Sequence, residues 1–383
     1  MLDFHRTPML LPTTYLAALL LSILSMVCWG SWANTQKLAG SKWRFELFYI
    51  DYSVGVFLCA LLAAFTFGSA NASEITFLDT FAGIALRKIG WSLAAGVIFN
   101  VANVLLVAAI AISGMAVAFP IAIGLTLIIG VVSSYFVNPQ GNPTLLFGGA
   151  LLVAFAIIVD AIAYRGAHLA QRVASSSSSA GEVGVAGATA AMTAPSPSVN
   201  PRKYKSSKRS RSAMSVATKG IIVSLVSGVL MGMFYPLVQI AMSDEGMALS
   251  AYTAGFFFAV GVLFSSALIV PILMNFPLQG DPVEFKAYFA GSKKLHLLGV
   301  IGGLIWFGGM MANLAASAAP RSANVGPAVS YALGQGATMI SAFWGLFVWK
   351  EFRDAPAQVK LLLYVMIALF GAGLALISIA PLQ

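Results

Sequence analysis

Long apolar stretches separated by short polar segments run along almost the whole chain of 383 residues. Each stretch is about 20 residues long, the length that a helix needs to cross a hydrocarbon core of about 30 Å. Because backbone groups in such a core must pair within the chain, the pattern predicts membrane-spanning helices. Ten spans are predicted, at residues 14–33, 48–67, 91–112, 115–137, 144–164, 221–242, 252–274, 297–318, 325–348 and 361–379.

The composition supports this all-α integral membrane class. Hydrophobic residues make up 59% of the chain and charged residues 9%, with a mean hydropathy of +0.88, whereas soluble domains carry about a quarter charged residues. The first apolar run lacks a convincing small-residue cleavage site, so it is interpreted as a retained span and not as a signal peptide. A soluble globular domain is therefore excluded.

A hydrophilic segment at residues 165–219 divides the spans into two groups of five. It contains a run of five serines at 175–179, followed by alanine, glycine, threonine and proline, and six Lys or Arg between 202 and 211. This composition is typical of a flexible linker. The basic run is a topology anchor or a contact for anionic lipid, and without interleaved aromatic residues it does not indicate nucleic-acid binding. The predicted units are 1–164, the linker 165–219, and 220–383.

Positive charge is distributed unevenly between the two sides of the predicted bundle. Of the 22 Lys and Arg residues, all but Arg6, Arg87, Lys88 and Arg321 fall in segments on the side that contains the linker. Cytoplasmic segments of membrane proteins carry the excess of Lys and Arg. The linker is therefore predicted to be cytoplasmic and both termini to lie outside, with the plasma (inner) membrane as the expected location.

The two groups of spans resemble each other in sequence. Gly96 in the third span aligns with Gly303 in the eighth, and the same offset places Pro120 in the fourth span over Pro327 in the ninth. Because five is odd, the second copy must cross the membrane in the opposite direction. Inverted repeats of this kind permit alternating access to a binding site near the midplane.

Neutral polar and aromatic residues cluster near the middle of several spans, and they predict a central cavity walled by spans 1, 3, 4, 6, 8 and 9. Such groups suit an uncharged polar ring. The alternative is that they form interhelical hydrogen bonds, each worth about 0.6 kcal/mol, or, for the tryptophans, an interfacial belt. The predicted solute-binding residues are Trp29, Trp32, Asn100, Asn103, Thr126, Tyr235, Gln239, Trp306, Tyr331, Gln335 and Thr338.

Asp51 and Asp160 are the acids predicted to lie within the hydrocarbon region. An ionisable residue in a membrane span indicates function by default, so both are candidates for proton coupling. For Asp51 the alternative is an interfacial anchor paired with Lys42 or Arg44.

No cofactor and no metal site is predicted, because neither the histidines nor the cysteines form a suitable cluster. A membrane enzyme is therefore disfavoured. A scaffold without transport activity is disfavoured as well, because it would not need two inverted halves with polar midplanes. The residues considered are His5, His168, His296, Cys28 and Cys59.

Several short motifs resemble the ureide permease branch of the drug/metabolite transporter superfamily. They run from Asn103 through AIGLTLIIG at 122–130 to YF at 135–136, and they include YIDY at 49–52, Pro236, AFWG at 342–345 and EFR at 351–353. The long hydrophilic centre is also similar. The pattern A-I-G-x-T-L-I-x-G is shared with neighbouring glucose-type and rhamnose-type sugar permeases.

This resemblance implies a ten-helix carrier of inverted repeats, commonly proton-coupled, that takes up small neutral polar solutes. One branch carries allantoin and oxo-purines or pyrimidines, and the other carries sugars. The chain lacks the G-x-x-x-x-G-K-[ST] phosphate loop of the plant pattern, so nucleotide regulation is not expected. We expect a secondary active uptake permease for a ureide-like or nucleobase-like solute, with protons and the bilayer as further partners. A sugar permease and an exporter of the same superfamily remain alternatives.

Overall fold

The computed structural model describes residues 10–40, 43–69, 77, 86–113, 115–186, 216–243, 248–277, 281–320, 322–323, 325–350, 352–353 and 355–383. Every regular element in these ranges is helical, which confirms the predicted all-α class. Short 3₁₀ turns lie at Phe67–Ser69 and Ala380–Leu382. The α-helices are α1 Tyr15–Ser31, α2 Ala33–Ala39, α3 Phe45–Phe65, α4 Leu86–Ser113, α5 Met115–Val137, α6 Pro143–Ala186, α7 Val216–Ala241, α8 Ala251–Asn275, α9 Lys286–Phe289, α10 Lys293–Ser317, α11 Pro327–Gly334, α12 Ala337–Phe343 and α13 Ala357–Ile379.

Nine helical segments of the described chain are long and apolar enough to cross a membrane. The bundle buries polar side chains such as Asn100 and Asn313 while leaving Leu151, Phe155 and Leu268 exposed. This arrangement suits hydrocarbon surroundings, where an outward-facing apolar side chain costs nothing and a polar one must find a partner inside. The protein is a multi-pass integral membrane protein.

The predicted ninth span, 325–348, is a broken helix and does not appear among these nine segments. It consists of α11, α12 and a π-helical turn at Trp344–Val348. Pro327 occupies the first turn of α11, where its missing N–H has no cost. The break falls at Gln335 and Gly336, and flanking glycines are poor helix formers. The predicted count of ten spans therefore depends on this interrupted segment.

Helix α6 continues beyond the end of the predicted fifth span. It runs for 44 residues to Ala186, so the first part of the predicted linker, including its serine run, is helical backbone. Once a helix is nucleated, each further residue adds a hydrogen bond at little cost. An existing transmembrane helix therefore extends into a segment that its composition alone marks as a linker.

The two groups of helices pack mainly against each other. Helix α4 contacts α7 and α8, α3 contacts α8 and α10, α1 contacts α10, and α6 contacts α13. Glycines permit the closest approaches: a Cβ at Gly96 would overlap the Phe258 carbonyl, and one at Gly303 would overlap the Tyr52 carbonyl. The cavity described below lies where these interdigitated groups meet.

Candidate functional site

A cavity of about 180 Å³ lies between α1, α4, α5, α7, α10 and the broken segment α11–α12. These elements coincide with the six spans that the sequence predicts as walls. Six of the eleven predicted solute-binding residues line the cavity, together with neighbours that the sequence did not single out. The predicted residues are Trp29, Trp32, Asn103, Trp306, Gln335 and Thr338, and the added ones include Phe99, Phe234 and Ser341.

One wall of the cavity is aromatic. The Trp306 ring stacks on Phe99 with centroids 4.3 Å apart and an interplanar angle of 28°, and on Trp29 at 6.2 Å and 17°. The Trp29 Nε1–H donates a hydrogen bond of 3.2 Å to the Trp306 backbone carbonyl, which fixes the ring orientation. Offset stacking of this kind presents flat π surfaces to a ligand.

Asn103 supplies a polar group on α4. Its Nδ2 donates to the Tyr49 hydroxyl at 2.9 Å, and that hydroxyl donates to Oδ1 of Asn100 at 2.7 Å. Asn100 in turn donates to Ser265 Oγ at 2.8 Å and Ser266 Oγ at 3.1 Å. Asn100 is thus an interhelical anchor, whereas Asn103 lines the cavity, and in the described part of the chain no residue hydrogen-bonds its side-chain oxygen.

The opposite polar group comes from the break between α11 and α12. Gln335 is half-buried at the break, and in the described part of the chain no side chain hydrogen-bonds its amide. Thr338 Oγ1 donates to the Gln335 backbone carbonyl at 3.3 Å, and Ser341 Oγ donates to the Gly30 carbonyl at 3.1 Å. The break therefore places a neutral amide, which has donor and acceptor atoms, in the cavity wall.

Five predicted solute-binding residues lie outside this cavity. Besides Asn100, Thr126 donates to the Gly228 carbonyl at 3.2 Å, and Gln239 donates to Ser317 Oγ at 3.3 Å. Tyr235 and Tyr331 are fully buried with ring centroids 4.7 Å apart. These contacts agree with the alternative interpretation, in which such residues pack and hydrogen-bond between helices.

A second cavity of about 320 Å³ adjoins the first and shares Ala33, Thr338 and Ser341 with it. It extends toward the end of the bundle at which Lys37 and Trp349 lie, and Asp160 is in its wall. Asp160 is 7% exposed, and its Oδ1 has no hydrogen-bond partner among the described residues. The two adjacent cavities, together called the path, extend from the aromatic wall to a buried carboxyl group.

Two tryptophans connect the sides of this path. Trp344 Nε1 donates to Ser31 Oγ at 2.9 Å, and Trp349 Nε1 donates to Asn34 Oδ1 at 2.6 Å. The Lys37 ammonium lies 4.3 Å from the centroid of a Trp349 ring. These contacts join the α1–α2 junction to the π-helical turn, so the two broken segments face each other across the path.

Asp51 does not line either cavity in the described part of the chain. Its Oδ2 lies 2.9 Å from Nδ1 of His296, and its Oδ1 accepts a hydrogen bond of 2.6 Å from the Tyr288 hydroxyl. Arg44 bonds Glu46 at 2.8 Å, and Lys42 lies outside the described residues. The partners of Asp51 among the described residues are thus His296 and Tyr288.

The residues that line the cavity or bond the candidate residues, and that sequence reasoning missed, are apolar or distant in the chain. Phe99 and Phe234 belong to apolar runs in which nothing distinguishes them, and His296 precedes its span in a basic loop. Tyr49 carried a usable signal, because a phenol inside a span needs a hydrogen-bond partner. Which partner it finds depends on the packing of α3 against α4.

The comparisons with known proteins extend over nearly the whole chain. A sequence model of the family described as Ureide permease matches residues 48–194 and 204–380. Ureide permease 2 of Arabidopsis thaliana is 24% identical over 392 residues, covering 94% of this chain and 96% of that protein. Ureide permease 1 of the same plant is 23% identical over 394 residues, covering 94% and 95%. A chain of solved crystal structure aligns with a TM-score of 0.52 at 15% identity, covering 95% of this chain and 96% of its own, and it shares the fold.

Proposed function

The chain belongs to the ureide permease family, and from this premise we propose that it is a secondary active permease for uptake of a small, neutral, polar solute of the ureide or nucleobase type. We place it, with its family, in the drug/metabolite transporter superfamily. The observation that carries the proposal is the cavity walled by Trp29, Trp306 and Phe99 with Asn103 and Gln335 at its polar positions. A planar heterocycle stacks on such rings, while the two side-chain amides pair with its ring N–H and C=O groups.

The neutrality of the lining supports an uncharged solute. No Asp, Glu, Lys or Arg is among the residues that line the 180 Å³ cavity in the described part of the chain. A charged solute transferred from water to such surroundings would lose hydration without gaining an opposite charge, which is costly. A ureide or oxo-pyrimidine loses only neutral hydrogen bonds, which Asn103, Gln335 and Thr338 replace.

We further propose that transport is proton-coupled and that Asp160 carries the proton, with Asp51 as the second candidate. Asp160 is in the wall of the path, and its Oδ1 has no hydrogen-bond partner among the described residues, so its protonation state is linked to whatever occupies the path. A charged carboxylate withdrawn from water is costly unless it is paired, so a buried carboxyl group is suited to take up a proton. Asp51 is 4% exposed but is bonded to two other side chains away from the path.

Alternating access between two inverted five-helix units is the proposed mechanism. The packing supports it, because several large contacts have a counterpart when the two groups of helices are exchanged: α4 on α7 corresponds to α10 on α1, and α4 on α8 corresponds to α10 on α3. The proposed orientation has both termini outside and residues 165–219 in the cytoplasm of the plasma (inner) membrane. In that orientation the 320 Å³ cavity lies on the cytoplasmic side.

Uptake into proteoliposomes tests the function directly. Purified protein is reconstituted, a pH gradient is imposed, and labelled allantoin, xanthine or uracil is supplied with or without unlabelled competitors. We expect gradient-dependent accumulation of at least one of these solutes. Accumulation of glucose or rhamnose in their place would indicate a sugar permease. Depletion from preloaded vesicles without uptake would indicate an exporter.

A further inference from the structure

A groove of about 330 Å³ lies on the outer surface of the bundle, between the π-helical turn Trp344–Val348 and the first turns of α13. Its floor is apolar and includes Leu346, Leu363 and Ile367. Lys350, Arg353 and Lys360 line the same groove and are exposed. The groove is separate from the solute path, and its residues are not shared with either cavity described above.

From this arrangement we propose that the groove binds one anionic phospholipid, with its phosphate against the three cations and an acyl chain along the apolar floor. The positive charge of the groove and the order of its residues along α13 both favour this occupant. The cations lie just before and within the first turn of α13, and Tyr364 and Ile367 follow Lys360 along the same helix toward its apolar middle. A ligand that fits must therefore be anionic at one end and hydrocarbon at the other.

The aromatic residues of the groove agree with a membrane interface. Phe347 is 70% exposed and Tyr364 is 71% exposed. A tyrosine placed where one end of its ring is wet and the other apolar is typical of the level of lipid headgroups. Lys350, Arg353 and Lys360 also lie on the side predicted as cytoplasmic, and the cytoplasmic leaflet carries the anionic lipids.

The chain also carries acids beside these cations. Glu351 and Asp354 alternate with Lys350 and Arg353 in the sequence, and both acids lie outside the described residues. Residues 350–360 contain three cations and two acids, so the net charge of this segment is positive. Replacing both acids by Gln and Asn removes repulsion toward a phosphate and is therefore expected to tighten lipid binding.

The groove shares a structural element with the solute path. Within the π-helical turn, Trp344 and Gly345 line the 320 Å³ cavity, whereas Leu346 and Phe347 line the groove. A lipid in the groove therefore contacts the outer side of the segment whose inner side borders the path. The binding itself does not depend on which solute the protein carries.

Native mass spectrometry of the detergent-solubilised full chain, titrated with dioleoylphosphatidylglycerol, resolves the first bound lipid and tests the site. The variant combines Lys350→Asn, Arg353→Gln and Lys360→Gln; asparagine is used at 350 because the φ of 54° there is left-handed, a region that asparagine tolerates. Each cation near a lipid surface contributes about fivefold in affinity. We expect the first dissociation constant to rise at least tenfold.

The matched control removes the same charge elsewhere. Lys219, Lys293 and Lys294 are exposed and lie on the same predicted side, so the triple Gln variant at these positions is expected to bind phosphatidylglycerol within twofold of the unmodified chain. Equal losses in the control and groove variants would overturn the proposal, because they would indicate attraction by overall charge. Size-exclusion profiles establish that both variants are folded.

Three further arms test the groove itself and separate an anionic lipid from a neutral lipid and from free phosphate compounds. Ile367→Trp fills the floor without changing charge and is expected to weaken phosphatidylglycerol binding about tenfold; unchanged binding would refute the groove. Phosphatidylcholine is expected to bind at least tenfold more weakly than phosphatidylglycerol, and equal binding would contradict the proposal. Glycerol 3-phosphate is expected not to displace the lipid, and displacement would assign the site to free phosphate compounds.

Discussion

Asp51 and His296 form a hydrogen-bonded pair, with Oδ2 of the carboxylate 2.9 Å from Nδ1 of the imidazole. The Tyr288 hydroxyl completes the group at 2.6 Å from Oδ1, and Trp43 packs edge-on against the imidazole with centroids 5.1 Å apart. These residues belong to α3, α9, α10 and the segment before α3. The group therefore attaches α9 to the ends of α3 and α10.

Replacing Tyr288 by Phe is expected to lower the free energy of unfolding by about 1 kcal/mol. A hydrogen bond to a charged group is worth about 1.5–3 kcal/mol when buried, and Tyr288 is only partly buried. Burial, and then the neighbouring Asp51 carboxylate, raise the pKa of Tyr288. A phenol with a raised pKa contributes its stability at neutral pH and loses it as pH rises beyond the ordinary phenol range.

Denaturant unfolding in detergent at neutral pH measures this effect. Tyr364→Phe is the control, because Tyr364 is exposed on α13 and no described residue hydrogen-bonds its hydroxyl. We expect no change for this control. An equal loss for both variants would show that the Asp51 bond adds nothing.

Asp160→Asn is expected to abolish accumulation driven by a pH gradient while solute exchange across the membrane survives. The asparagine mimics the neutral carboxyl group and no longer takes up or releases a proton. Proteoliposome accumulation and counterflow of the same solute separate the two activities. Asp51→Asn is the matched variant: it is expected to lower the yield of folded protein but to leave gradient-driven accumulation by each surviving carrier intact. Accumulation that survives in Asp160→Asn and is lost in Asp51→Asn would assign proton coupling to Asp51.

Alanine at Asn103 or Gln335 is expected to raise the KM for the solute about tenfold while expression stays normal. Each change leaves a polar group of the solute without its partner, at a cost of roughly 1–3 kcal/mol. Asn100→Ala is the control, because Asn100 is fully buried and bonds Tyr49, Ser265 and Ser266. It is expected to reduce thermal stability and folded yield. Unchanged kinetics in both cavity variants would remove those residues from the site.

Gly130→Ala is expected to destabilise the protein by about 1–3 kcal/mol, the usual cost of overpacking. A Cβ at this position would overlap the Tyr331 ring, which is fully buried and has little room to move. Gly124 lies on the same helix α5 with no atom within 4 Å of its added Cβ, so Gly124→Ala is expected to be neutral or slightly stabilising, since alanine is the better helix former. Thermal midpoints in one detergent compare the two, and a loss at Gly124 equal to that at Gly130 would contradict the packing.

A cysteine at position 178 tests the orientation. In a variant with Cys28 and Cys59 replaced by alanine, an impermeant maleimide is expected to label position 178 only after the membrane is opened, because the linker is predicted to be cytoplasmic. Efficient labelling in intact cells would reverse the proposed topology. Cysteine at position 72, in the segment predicted to lie on the opposite side, is the positive control.

Much of the architecture could be predicted from the sequence, because backbone groups in a bilayer must form their hydrogen bonds within the chain. An apolar run of about 20 residues becomes a helix wherever it lies in hydrocarbon, so the all-α class and most of the span limits could be predicted before any packing was known. The set of helices around the cavity was also accessible, because Asn103, Trp306 and Gln335 stand out in apolar surroundings. Their residue types alone predict a neutral site.

Only the tertiary structure decided which polar residues face the cavity and which join helices. Asn100 and Asn103 are three residues apart on one helix, and their different tasks arise from Tyr49 and Ser265 on other helices. The attachment of Asp51 to His296 likewise depends on a segment that is distant in the chain. The hydrophobicity of a segment is the sum over its own residues, so it can be calculated from the sequence. The hydrogen-bond partner of a side chain depends on how its helix is rotated and how closely other helices approach, and the local sequence does not determine either.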